Sequence, residues 1–183
     1  MKQFYNIILV LLIIALITVG IMLVKKYYTE WKNEQEISEI IEDIENSIES
    51  TYKGYNVIGI IEIPKIEIKY PILDITTEES MLISVTKFWG PNANEIGNLS
   101  IAGHNNFSGT MFGKTKKLEL EDIVKITDLN NNTIEYKIFD KYTVGPNDVS
   151  CVESVEEGTR EVTLITCTKG HEERLIIKAM ETK

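Results

Sequence analysis

Two cysteines, two histidines and two arginines are the whole supply of thiol, imidazole and guanidinium in this 183-residue chain. Any nucleophilic arrangement is therefore nearly enumerated in advance. Near the C-terminus the chain reads T-L-I-T-C-T-K-G-H-E-E-R-L-I-I from Thr163 to Ile177, which places Cys167, His171 and Arg174 in one short stretch. Cysteine attacks as the thiolate, and a free thiol with a pKa of about 8.5 is mostly protonated at neutral pH unless a base or cation holds it ionised. Acyl transfer also needs a donor aimed at the oxygen on which negative charge develops. Cys167, a histidine and an arginine would fill these roles. The plain alternative for Cys167 is a small apolar residue ending a strand.

On position alone either histidine is eligible. His171 lies in the polar loop from Thr168 to Glu173, beside Glu172 and Glu173, where a solvated side chain is the commoner outcome. His104 follows Leu99-Ser100-Ile101-Ala102-Gly103, whose small residues leave room for a ring at a strand end. Its plain alternative is a core or edge histidine bonded to backbone.

The elements that must position these groups begin after residue 54. Short β-branched runs replace helical periodicity at Val57–Ile63, Ile66–Tyr70, Asn98–His104, Ile123–Thr127, Thr133–Phe139, Lys141–Val144, Val162–Cys167 and Leu175–Met180. Asp128-Leu129-Asn130-Asn131-Asn132 reads as a hairpin loop, because Asn and Asp tolerate turn backbones. Only Glu78–Phe88 and a stretch near Met111–Leu118 suggest short helices. Many short strands with few helices imply a closed barrel or a sandwich.

Upstream, residues 7–24 (IILVLLIIALITVGIMLV) carry no charge over 18 positions. That is long enough for a bilayer span and longer than the 7–15-residue apolar core of a cleaved leader. Thr18-Val19-Gly20 is a weak cleavage match, so an uncleaved anchor is expected. Lys25, Lys26 and Lys32 after the span, against Lys2 before it, lean toward a cytoplasmic C-terminal domain. Between Thr29 and Ser50, Ile37, Ile40, Ile41, Ile44 and Ile48 recur on one helical face among acidic residues. This is the pattern of a stalk whose stripe packs on the domain or on another copy. The expected division is an anchor over 1–26, an acidic helical stalk over 27–54 and a catalytic domain over 55–183.

A net charge of −9 argues against nucleic acid, which needs a basic face. There is no Gly-rich phosphate loop, no repeat and no cysteine–histidine spacing for a metal finger. No cofactor and no metal are expected.

A-G-H-N at 102–105, T-L-I-T-C at 163–167 and Arg174 opening the next strand together resemble the sortases, cysteine transpeptidases of the outer face of Gram-positive bacteria. The resemblance covers roughly residues 56 to 181, and the N-terminal anchor fits it. It implies a mainly β fold, an eight-stranded sortase-type barrel with one or two short helices behind a helical stalk and one transmembrane helix. It makes Cys167 the nucleophile, His104 the acid/base and Arg174 the cation that stabilises the oxyanion or positions substrate, and it leaves His171 without a role. It implies an extracellular catalytic domain on a single-pass anchor, against the weak lysine count. The partners it implies are secreted proteins with a C-terminal LPxTG-like sorting signal and a cell-wall or peptidoglycan-precursor amine.

The same resemblance assigns substrate contacts to the loop from Gly145 to Arg160, and Thr166 and Asn105 are further candidates. Cys151 lies in that loop. A disulfide to Cys167 would silence the nucleophile, so Cys151 is expected to be a free thiol. Some sortases bind calcium, and Glu119, Glu121 and Asp122 are the acidic residues in a plausible region, though surface carboxylates are the expectation. The Asp-Pro-aromatic lid motif of the pilus-building subgroup is not found, and the chain ends just after its last strand. Protein anchoring by a small class D-like or class B-like member is therefore expected. Two alternatives stand beside transpeptidation: a thioester peptidase with water as acceptor, and a catalytically silent membrane-tethered peptide-binding barrel.

Overall fold

The computed structural model describes residues 2–46, 50–154, 156–168, 170 and 172–182. The chain divides into two compact units, Met1–Glu36 and Ile37–Lys183. Helix α1 spans Lys2–Glu45. Its most apolar 18-residue window has a mean hydropathy of 3.4 and no buried residue. At 1.5 Å per residue such a window extends about 27 Å, close to the hydrocarbon thickness of a bilayer. Phe4 and Tyr5 precede the apolar stretch and Tyr27, Tyr28 and Trp31 follow it, all exposed, in the positions aromatic residues favour at membrane–water boundaries.

In the second unit, the end of α1 belongs to the core. Ile37, Ile41 and Ile44 are 2%, 6% and 4% exposed and join the same apolar cluster as the strands, with Ile40 packed at its edge. Lys69 pairs with Glu45 and the Asn131 amide donates to the Glu45 carbonyl, fixing this last turn to the barrel. The striped residues of the expected stalk therefore pack on the domain; Ile48 lies outside the described residues.

The sheet comprises β1 (Thr51–Tyr52), β2 (Tyr55–Ile63), β3 (Ile68–Leu73), β4 (Val85–Trp89), β5 (Gly97–Ala102), β6 (Ile123–Asp128), β7 (Thr133–Val144), β8 (Arg160–Thr168) and β9 (Glu173–Glu181). Strand order is β1-β2-β3-β4-β5-β8-β9-β7-β6, and β2 also pairs with β6. That last pairing closes eight strands into a barrel, with β1 as a two-residue spur. At the closure Gly59 is needed: a Cβ there would lie 2.5 Å from the Thr127 carbonyl oxygen and 2.8 Å from Ala93. The expected loop at 128–132 is a tight turn in which Asp128 Oδ1 accepts the amides of Asn130 and Asn132.

The count of eight agrees with the sequence reading, but the membership differs. Glu78–Phe88 is not one helix: helix α2 covers Glu78–Ile83 and β4 follows directly. Thr77 and Ser80 form a reciprocal capping box that starts α2, and the β-branched pair Val85-Thr86 then enters the sheet. Thr133–Phe139 and Lys141–Val144 are one strand, β7, broken only by a bulge between Ile138 and Asp140. Ile66 ends a 3-10 turn over Pro64–Ile66, and Pro71 lies inside β3. Because β3 meets β4 only from Ile72 onward, Pro71 is on a locally free edge where its missing N–H costs no ladder bond. Near Met111–Leu118 only the 3-10 turn Thr115–Lys117 forms.

Candidate active site

Strands β5, β8 and β9 lie side by side, and their register organises the site. β5 and β8 run parallel with Asn98 opposite Glu161, Ser100 opposite Thr163 and Ala102 opposite Ile165. β8 and β9 run antiparallel with Thr163 opposite Lys178, Ile165 opposite Ile176 and Cys167 opposite Arg174. Side chains alternate across a sheet. Leu99, Ile101, Val162, Leu164, Leu175, Ile177 and Ala179 fill the barrel core. The paired residues above therefore share the outer face, in successive rows.

The upper rows of that face form the floor of a cleft of about 250 Å³. Ala102, Ile165 and Ile176 make its apolar base, with Cys167 and Arg174 at the end. One wall is Thr76, Met81 and Phe88, from the segment around α2 and β4. The opposite wall is Pro146, Asp148, Val149 and Cys151, from the β7–β8 loop.

Cys167 and Arg174 are both partly exposed. His104 lies two residues beyond the end of β5, and continuing the parallel register past Ala102 and Ile165 brings it level with Cys167. Backbone and side-chain bonds carry this alignment beyond the strand. The Gly103 amide donates to the Ile165 carbonyl at 3.1 Å. The Thr166 hydroxyl donates to the Gly103 carbonyl at 2.7 Å. The Asn105 amide donates to the Cys167 carbonyl at 2.8 Å. On the other side of His104, its carbonyl accepts the Phe112 amide at 3.0 Å. Gly103 allows this close stacking, since a Cβ on it would meet the Phe112 ring at 2.7 Å.

The structure thus brings Cys167 and Arg174 to one end of the cleft and carries the backbone of His104 alongside Cys167. Thr166 touches the cleft, but its hydroxyl is bonded to Gly103. Asn105 bonds to the backbone of Cys167, between the two segments that carry His104 and the thiol. His171 lies outside the described residues. The second arginine is far from this chemistry in role: Arg160 Nε donates to the Asn94 carbonyl at 2.7 Å and its Nη1 pairs with Glu181 at 3.0 Å.

Cys151 lines the same cleft but is buried, and that burial pushes its thiol up, with Lys178 pulling it partly back. Such a thiol is held neutral and unreactive. Asp148 behaves oppositely: hydrogen bonds from the Ser150 hydroxyl and amide hold its carboxyl below the usual value. Lys65 Nζ lies 2.9 Å from both Glu119 and Asp122, and Glu121 pairs with Lys137 at 3.0 Å. The carboxylates weighed for calcium are thus ion-paired with lysines. Among the described residues, no group of three or more His, Cys, Asp and Glu side chains is placed to hold a metal.

Sequence reasoning missed the Thr76–Phe88 wall. Read as one helix, that segment had no reason to face Cys167, and only the turn from α2 into β4 brings it there.

A family model described as the sortase domain matches residues 61–182. Sortase A of Bacillus anthracis is 28% identical over 156 residues, covering 84% of this chain and 72% of that protein. Among solved structures, a Sortase D5 transpeptidase from Clostridium perfringens superposes with a TM-score of 0.68 at 26% identity, over 82% of this chain and 98% of that one. Sortase C-1 from Actinomyces oris gives a TM-score of 0.63 at 26% identity, over 69% and 72% of the two chains.

Proposed function

From the premise that this chain belongs to the sortase family and is a cysteine transpeptidase, we propose that it cleaves an LPxTG-like sorting signal on a secreted protein and joins that protein to a cell-wall amine. The observation that carries the reading is at the head of the cleft: Cys167 lies directly opposite Arg174 on β9, and the backbone on either side of His104 is bonded to β8 through Gly103 and Asn105. The three residues come from β8, β9 and the stretch that follows β5, beside an apolar trough floored by Ala102, Ile165 and Ile176.

The chemistry follows from that arrangement. The Cys167 thiolate attacks the Thr carbonyl carbon of the sorting signal, and the carbonyl electrons move onto oxygen. The Arg174 guanidinium donates to that oxyanion, which is worth most where water is excluded. As the intermediate collapses, the Thr–Gly bond breaks, and the His104 imidazolium protonates the departing Gly amine. The acyl group then sits on Cys167 as a thioester. An amine attacks the thioester, His104 accepts its proton, and the thiolate is restored.

The apolar stretch over 7–24 with its aromatic flanks supports a single-pass anchor, and the family's site of action supports an extracellular catalytic domain. The compact barrel and the extent of the match to the Sortase D5 transpeptidase support a class D-like placement.

The deciding experiment incubates the protein with a panel of LPxTG-type peptides, with and without an amine, and seeks a thioester on Cys167 by mass spectrometry. A thioester in the wild type that is absent in Cys167→Ala, together with amine-dependent product, is the expected result. Hydrolysis that ignores amine concentration would replace transpeptidation by peptidase activity. Failure both to cleave any peptide and to label Cys167 selectively would leave a silent peptide-binding barrel.

A further inference from the structure

The outer face of β5, β8 and β9 is used twice. Its upper rows are the open cleft, whereas its lower rows are covered by the β7–β8 loop and lined with polar side chains. Asn98, Glu161, Thr163 and Lys178 are 3%, 1%, 0% and 5% exposed. Apolar side chains would be the ordinary occupants of a covered sheet face, so this polarity calls for a physical reason.

The reason lies in what these side chains hold. The Asn98 amide faces three successive loop carbonyls, those of Cys151, Val152 and Glu153, at 3.0, 3.1 and 3.3 Å. Its own carbonyl oxygen accepts from the Thr163 hydroxyl at 2.8 Å, which fixes the way the amide points. Lys178 Nζ donates to the Glu153 carbonyl at 2.8 Å and stands 3.9 Å from the Glu161 carboxylate. The other Glu161 oxygen accepts the Glu156 amide at 3.0 Å. Loop backbone between residues 151 and 156 is thereby bonded to three different strands. The same loop presents Pro146, Asp148, Val149 and Cys151 to the cleft.

We propose that Asn98, Glu161, Thr163 and Lys178 form a buried polar clamp that sets the position of the β7–β8 loop, and so the width of the trough receiving the peptide. The four are positioning residues, acting through the loop. As to substrate, this inference rests on the sorting-peptide reading above. A clamp of hydrogen bonds to backbone carbonyls and amides fixes the loop in one place, where an apolar contact would permit sliding. It also leaves the loop's side chains free to face the cleft.

The test compares wild type with Asn98→Ala and with the double variant Lys178→Met/Glu161→Gln, which avoids leaving one buried charge without its partner. Ile126→Val, in the barrel core away from the loop, serves as a control for general loosening. Hydrogen exchange read by mass spectrometry reports the amides of Val152, Glu153 and Glu156 without reference to any activity. These amides are expected to exchange at least about tenfold faster in both clamp variants, with the β6–β7 hairpin unchanged. For a sorting peptide that the wild type cleaves, KM is expected to rise roughly tenfold while kcat falls less than about threefold, the pattern of weakened binding rather than lost chemistry. Ile126→Val should lower Tm without moving KM.

Unchanged loop exchange in both variants overturns the clamp. Faster loop exchange with unaltered KM, or equal KM changes in the Ile126→Val control, overturns its role in shaping the trough. If the wild type cleaves no sorting peptide, the functional reading fails, and loop exchange alone decides whether the clamp exists.

Discussion

Cys167 and Arg174 are a directly opposed pair on antiparallel strands, the second-last rung of the β8–β9 ladder before the turn. The turn that separates them in sequence is what joins them in space, since a hairpin folds residues on either side of its loop onto each other. Their side chains share the outer face, so the guanidinium meets the cleft from the next strand. An ammonium in the same place is a single rotatable point charge, while the guanidinium is a planar fork. Arg174→Lys is expected to lower kcat about 100-fold, as removal of one oxyanion donor does elsewhere. Steady-state kinetics on a sorting peptide checks this, and near-normal turnover would remove Arg174 from the oxyanion.

The two cysteines line one cleft and should react very differently. Burial raises the Cys151 thiol, while Cys167 is partly exposed. Brief treatment of the native protein with iodoacetamide at neutral pH is expected to label Cys167 and spare Cys151. Peptide mass spectrometry should find label on Cys151 only after denaturation. Equal labelling of both in the native state would contradict the buried placement of the loop.

Gly103 is held between the Phe112 ring and Val85, both within 3.0 Å of where a Cβ would stand. Gly103→Ala therefore overpacks the site beneath His104 and is expected to cost about 1–3 kcal/mol of stability. Urea unfolding measures it as a lower midpoint with an unchanged slope. Activity should fall as well, because the Gly103 amide and carbonyl both tie β5 to β8.

Asp148 is held ionised by bonds from Ser150. A depressed folded-state pKa means that this contribution is complete above the ordinary carboxylate value of about 3.9 and disappears as pH falls through the lower, folded value. An NMR titration should place the Asp148 midpoint below that of an exposed aspartate, and the Ser150 amide should shift with the same midpoint. Asp148→Asn should abolish the Ser150 transition. A midpoint at the ordinary value would show that the turn does not form.

Some of this was legible in the residues themselves. Scarcity of thiol, imidazole and guanidinium confined the chemistry to six side chains, and the T-L-I-T-C run with Arg174 beyond a short loop is local information that a hairpin preserves. Asp128–Asn132 formed its turn because its side chains satisfy their own backbone, whatever lies elsewhere. The apolar stretch of α1 is equally local, a matter of length and composition.

Other features depended on contacts distant in sequence. Glu78–Ile83 is built of good helix formers, but Val85–Trp89 became a strand because its β-branched start met edges offered by β3 and β5. Lys141–Val144 fused with the strand before it because β9 is long enough to pair with both. Spacing left His104 and His171 both eligible, and the resemblance to the sortases selected His104; the parallel pairing of β5 with β8, a crossover contact that no spacing encodes, is what carries the backbone of His104 beside that of Cys167. The buried clamp depends on distant contacts in the same way: Asn98, Glu161 and Lys178 are residue types that ordinarily face solvent, and only the β7–β8 loop covers them. Sequence alone determined which groups are available and which local turns form, because those depend on neighbours along the chain. Tertiary structure decided which groups meet, because strand register and loop cover are set by burial shared among segments far apart in it.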